Sequence, residues 1–243
     1  MRNVLIATLL YSLTHSALAD TQVIDDFSID RTEVTVGAFR EFVAATGFTT
    51  AAERAGGGEV YALGWTQQPG WIWSHPFGEP AEDNEPVVHV TFPEARAYCA
   101  FRGQRLPTNA EWQRAAYTEF RANPPEPFQT GRAYPYPTGD LPTGANCLND
   151  CGITPAIDHS AKLRRGIGHA PVGRTPAGVN GLYDMGANVW EWVDGGQANA
   201  RGTRGGSWWY GQERMHHTDQ ATKPEDTAVV YIGFRCAQSL APQ

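Results

Sequence analysis

Most of this chain lacks the periodicity from which helices and strands are built. Glycine and proline recur throughout, 26 and 17 of the 243 residues, so turns interrupt nearly every candidate element. Only three stretches read as helices. Val36 to Thr46 places Phe39, Phe42 and Val43 on one face behind Thr35, a good N-cap. Phe92 to Phe101 follows Thr91 and carries Pro93 and Glu94 in its first turn, as helix starts prefer. Asn109 to Tyr117 follows Thr108. The strand candidates are short. Phe27 to Glu33 and Val87 to Thr91 alternate, and Tyr231 to Cys236 closes the fold. A few short helices, scattered strands and much loop define an α+β chain. With no internal repeat and no low-complexity linker, one domain is expected. Between Ala51 and Asp83 the pattern reads as a long variable loop, dense in Trp65, Trp71, Trp73, His75 and Phe77. That density predicts a satellite core under a loop or the wall of a pocket.

The N-terminus reads as a secretory signal. Arg2 precedes an apolar run from Val4 to Leu13, and Ala17-Leu18-Ala19 supplies small residues before Asp20. The run is too short to span a bilayer, which takes roughly 20 residues. Residues 1–19 are therefore expected to be removed, leaving residues 20–243 periplasmic or secreted, with no membrane association. The formal charge of −7 gives no electrostatic case for nucleic acid. Lysine is confined to Lys162 and Lys223, so arginine carries the cationic work. Four cysteines, Cys99, Cys147, Cys151 and Cys236, suggest disulfides in an exported chain, with three possible connectivities.

Four blocks in order carry a family resemblance. The first is Phe27-Ser28-Ile29-Asp30-Arg31-Thr32-Glu33-Val34-Thr35. The second runs from Pro86-Val87-Val88-His89-Val90-Thr91 through Cys99 and Arg105-Leu106-Pro107-Thr108 to Glu111-Trp112. The third is Gly181-Leu182-Tyr183-Asp184-Met185-Gly186-Ala187-Asn188-Val189-Trp190-Glu191-Trp192. The fourth is Arg204-Gly205-Gly206-Ser207-Trp208, ending in Gly233-Phe234-Arg235-Cys236. Together they resemble the formylglycine-generating-enzyme (sulfatase-modifying factor) superfamily over essentially the whole chain after residue 19. The resemblance implies an irregular α+β fold related to C-type lectins. It also implies a Cys99–Cys236 disulfide, while Cys147–Cys151 reads as a loop disulfide or, less simply, a redox or metal pair. A family calcium site maps onto Asp184, Glu191 and the carbonyls of Ala187 and Val189, a hard-oxygen set suited to the ion. The alternative for Asp184 and Glu191 is to cap turns and pair with arginines. Half of a second calcium site maps onto Asn146 and the Cys147 carbonyl. Its later aspartate falls near Arg164, and Asp158 is the candidate substitute.

One departure bears on function. The related oxidase keeps two copper-binding cysteines just after its Gly-Gly-Ser block, and those positions hold Tyr210 and Met215. Copper(I) wants soft thiolates, so formylglycine generation is not expected. In their place stand Trp208, Trp209, Tyr210, Arg214, His216, His217 and Asp219, the candidate site for catalysis or binding. These aromatics read as core or as a pocket. One histidine with Asp219 and a distant His75, His89 or His169 could form a transition-metal site. Adjacent His216 and His217 would face opposite ways on a strand. The superfamily also holds periplasmic pyoverdine-maturation proteins, sulfoxide synthases whose iron depends on a helical domain missing from this sequence, and lectin-like binders. Two expectations follow. One is an enzyme or accessory factor in oxidative maturation of a peptide or metabolite. The other is a calcium-stabilised module binding a peptide or small molecule.

Overall fold

A computed structural model describes residues 20–61, 63–163 and 167–240. The expected signal segment, residues 1–19, and Arg164 lie outside them. In chain order the elements are β1 (Thr21–Ile24), β2 (Phe27–Asp30), α1 (Val36–Thr46), α2 (Ala51–Ala55), β3 (Glu59–Tyr61), β4 (Trp65–Gln67), α3 (Phe92–Phe101), α4 (Asn109–Tyr117), β5 (Trp190–Gln197), β6 (Ala200–Arg204), β7 (Ala221–Lys223), β8 (Ile232–Gly233) and β9 (Ala237–Ser239). The architecture is α+β with long irregular connections, as the sequence implied.

Helix starts follow from local chemistry. At α1 the Thr35 hydroxyl accepts from the Ala38 N–H, and Gly47 ends the helix in the left-handed region. Thr50 with Glu53, Thr91 with Glu94 and Thr108 with Glu111 form capping boxes at α2, α3 and α4. The short α2 lies inside the stretch read as loop. The Val87–Thr91 strand does not form: His89 adopts φ +57°, which breaks an extended run. Of Tyr231–Cys236, only Ile232–Gly233 pairs as a strand.

Three sheets are laid out as β1-β2-β9, β3-β4 and β7-β6-β5-β8. The first joins the two ends of the described chain, since β2 pairs antiparallel with β9. In the third, β8 runs parallel to β5 and places Glu191 opposite Gly233. The main core gathers Phe39, Phe42, Tyr98, Trp190, Trp192, Trp208, Trp209, Tyr231 and Phe234. Trp71, Trp73 and Phe77 join this same core, whereas Trp65 stays half exposed. The aromatic stretch thus divides between core and surface. Cys99–Cys236 lies in the core with a Cα separation of 5.6 Å, and Cys147–Cys151 closes a short loop.

Candidate functional site

The 181–192 loop is built on left-handed backbone at Asp184, Ala187 and Asn188, with φ of 57°, 61° and 50°. These turns aim successive peptide groups in different directions. The Asn188 N–H donates to the Asn146 carbonyl, the Val189 N–H to Glu33, and the Trp208 N–H to the Asn188 carbonyl. Asp184 accepts from Thr175 Oγ1 at 2.6 Å and the Gly173 N–H at 2.7 Å. Glu191 accepts from Arg235 through both oxygens, at 2.8 and 2.7 Å, and from Trp112 Nε1 at 2.8 Å. Asp184 thus binds the 173–175 turn, and Glu191 pairs with Arg235. Three buried carboxyl groups, Glu33, Asp184 and Glu191, act on one fully buried guanidinium. Burial, then the charges of Asp184 and Glu191, push the Glu33 carboxyl well above the ordinary carboxylate range. In charge the set suits a cation; its oxygens already accept from protein donors.

Asn146 is spent on structure. Its amide donates to the Gly168 carbonyl and to Asn188 Oδ1, and its Oδ1 accepts from Thr154 at 2.9 Å. Asp158 is exposed and caps its own turn through Ser160.

The Trp208–Asp219 residues divide by depth. Trp208 and Trp209 are each only 2% exposed, and Trp209 packs on Tyr231 with ring centroids 5.6 Å apart. Trp209 is thus core. Tyr210 is half-buried, edge-on to Trp190 and Tyr231. Arg214 lies over Trp190 and Tyr210 and pairs with Asp219 at 2.7 Å. Burial raises the Asp219 carboxyl against the opposing pull of Arg214 and Arg204. Met215 is fully buried against Gly186, so Tyr210 and Met215 occupy quite different settings. His216 and His217 follow a 3₁₀ turn rather than a strand, and their rings lie 4.4 Å apart instead of facing opposite ways. His216 Nδ1 is 2.8 Å from Thr218 Oγ1.

Trp208 forms part of a cleft of about 280 Å³ with Asn146, Leu148, Ile153 and Ile167, walled by Cys147 of the loop disulfide. The Leu148 N–H donates to the Tyr210 carbonyl, which ties this wall to the half-buried tyrosine. Behind Trp208, Phe77 stacks on His159 at 3.8 Å and contacts His169 at 5.1 Å. His169 Nε2 sits 2.7 Å from Glu85 Oε2, both buried. Burial would raise the Glu85 carboxyl, but the bonds from His169 and the Glu82 N–H outweigh it and hold it below its ordinary value. Sequence reasoning missed Glu85 and His159; each sits on irregular backbone where no periodicity marks a partner. His75 is 3.0 Å from Ser74 Oγ, and His89 from the Pro76 carbonyl, so the structure does not bring them to His216. Among the described residues, no group of three His, Cys, Asp or Glu side chains could hold a metal ion. All four cysteines are in disulfides.

Fold and site define a family with little regular structure and a Trp-rich, glycine-turned core. The chain belongs to the sulfatase-modifying factor enzyme 1-like family, whose model matches residues 8–240. It is 30% identical to the formylglycine-generating enzyme of Mycobacterium tuberculosis over 278 aligned positions, covering 89% of this chain and 88% of the relative. It is 34% identical to the inactive C-alpha-formylglycine-generating enzyme 2 of Mus musculus, covering 88% of this chain and 75% of the relative. Among solved structures, PvdO from Pseudomonas aeruginosa shares the fold at a TM-score of 0.60 and 20% identity, over 88% of this chain and 80% of that one.

Proposed function

We propose that this protein is a non-sulfatase-modifying member of its family, serving the oxidative maturation of a peptide or metabolite as enzyme or accessory factor. The observation that carries the reading is the chemistry around Tyr210 and Met215. By the sequence resemblance they fall where the related oxidase keeps its copper thiolates, and every cysteine of this chain is in a disulfide. Thiolate–copper chemistry then has no ligand to run on. What remains is a recognition surface: the Trp208 cleft, the half-buried Tyr210, Arg214 held by Asp219, and His216 beside Thr218. A peptide or small molecule is the partner this surface suits, since aromatics add contact area and arginine a fixed fork of donors. Export to the periplasm or medium, with cleavage before Asp20, belongs to the same reading. Purified protein incubated with a cysteine-bearing sulfatase peptide and copper should form no aldehyde by mass spectrometry; conversion would overturn the proposal.

A second reading, a calcium-stabilised lectin-like module without catalysis, is favoured by the dispersal of the histidines. His75, His89, His169 and His216 each engage a different partner. A calcium ion here would use the Ala187 and Val189 carbonyls and share Asp184 and Glu191 with their present donors.

A further inference from the structure

Away from the Trp208–Asp219 face, a cleft of about 560 Å³ lies between α2, the β3–β4 hairpin and segment 224–228. The hairpin is the part of the aromatic stretch that does not join the core. Tyr61 and Trp65 are cross-strand partners with ring centroids 5.4 Å apart, yet Trp65 is 48% exposed. An indole left in water forgoes the stabilisation its burial would bring, and this one lines the cleft. The floor is apolar, with Ala52, Ala55, Pro224 and Ala228. The charged groups have one sign: Glu59 and Asp226 line the cleft, and no lysine, arginine or histidine among the described residues does.

The frame is stiff. The Glu59 N–H donates to the Ala228 carbonyl at 2.8 Å, and the Val230 N–H donates to the Glu59 carbonyl at 3.2 Å. Behind the floor the backbone packs too closely for side chains. A Cβ on Gly57 would meet the Gln68 carbonyl oxygen at 2.0 Å, and one on Gly58 would meet His89 Nδ1 at 2.1 Å. The hollow is therefore held open by its own backbone bonds.

We propose that this cleft is a second binding site, for a ligand carrying an ammonium or guanidinium group on an apolar stem. Tryptophan is the strongest aromatic acceptor for such a cation. Two carboxylates in reach add Coulomb attraction, and the alanine and proline floor suits an alkyl stem. The chain's net charge of −7 draws cations toward its surface. An anion would be repelled by both carboxylates, and a purely apolar ligand would strip them of water without return. The cation could come from a free alkylamine or from a basic side chain of a peptide.

Calorimetric titration of the mature protein at low salt separates these sources. The probes are cadaverine, acetyl-Gly-Lys-Gly-amide, acetyl-Gly-Arg-Gly-amide and, as the neutral control, acetyl-Gly-norleucyl-Gly-amide. At least one cationic probe should bind, and its identity tells amine from peptide. Trp65→Ala should weaken that binding about tenfold, and the double variant Glu59→Gln with Asp226→Asn at least as much. Because Trp65 and Asp226 are exposed, melting should barely change. The proposal is overturned if no cationic probe binds, if the neutral peptide binds equally well, or if both variants bind like the parent.

Discussion

His89 shows how a single buried side chain couples the fold to pH. It is fully buried, and burial lowers its pKa from 6.5 to about 4. The unfolded chain therefore takes up the proton first as pH falls. Stability is full above about 6.5 and declines toward about 4, by at most about 3 kcal/mol. His89→Asn tolerates the left-handed backbone and removes the titration. Urea unfolding at neutral and mildly acidic pH should show a shallower decline for the variant; equal slopes would refute the assignment. Trp209 and Arg214 make the complementary pair. Trp209→Ala should cost about 3–5 kcal/mol, because it opens a cavity against Trp208 and Tyr231. Arg214→Ala, half-buried and at the surface, should leave melting within a few degrees of the parent and weaken ligand binding. A strong loss of stability from Arg214→Ala would make its role structural.

At the scale of elements, the sheet β1-β2-β9 and the Cys99–Cys236 bridge both tie the start of the fold to its end. The bridged residues are 137 apart in sequence, which in the chain-entropy model corresponds to about 5 kcal/mol, against roughly 2 for Cys147–Cys151. A Cys99→Ala, Cys236→Ala variant should lose about 2–5 kcal/mol in urea unfolding, and Cys147→Ala, Cys151→Ala clearly less. The reverse order would mean that the short loop, rather than the core bridge, limits unfolding. The starts of α1, α3 and α4 were legible because Thr35, Thr91 and Thr108 announce them locally. The α2 cap, Thr50 with Glu53, carries the same signal on a helix of five residues, too short to show a face. The β5–β6 hairpin escaped notice because Trp190 to Val193 are buried on both faces, which removes the alternation that marks a strand.

For the molecule as a whole, calcium binding would register as stability. If calcium occupies the 184–191 loop, stripping it with chelator should lower the melting temperature and added calcium should restore it. At 100 times its dissociation constant the ion would contribute about 2.7 kcal/mol. Identical melting with and without calcium would sink that proposal and leave Arg235 as the sole counter-charge. The same cluster marks where sequence reasoning stops. Glu191 and Arg235 are each visible in a motif, but their pairing across 44 residues depends on β8 lying parallel to β5. His169 and Glu85 are 84 residues apart on irregular backbone, and nothing in either neighbourhood names the other. The sequence alone determined the α+β class, the three longer helices and the membership of the family, because these rest on short-range chemistry and ordered motifs. Only the tertiary structure decided that Trp208 and Trp209 are both buried in the core, with Trp208 at the wall of a cleft, that Trp65 stands in water, and which carboxylate meets which cation. Depth and partnership depend on how distant loops pack, so that sequence neighbours such as Trp209 and Tyr210 end at different depths.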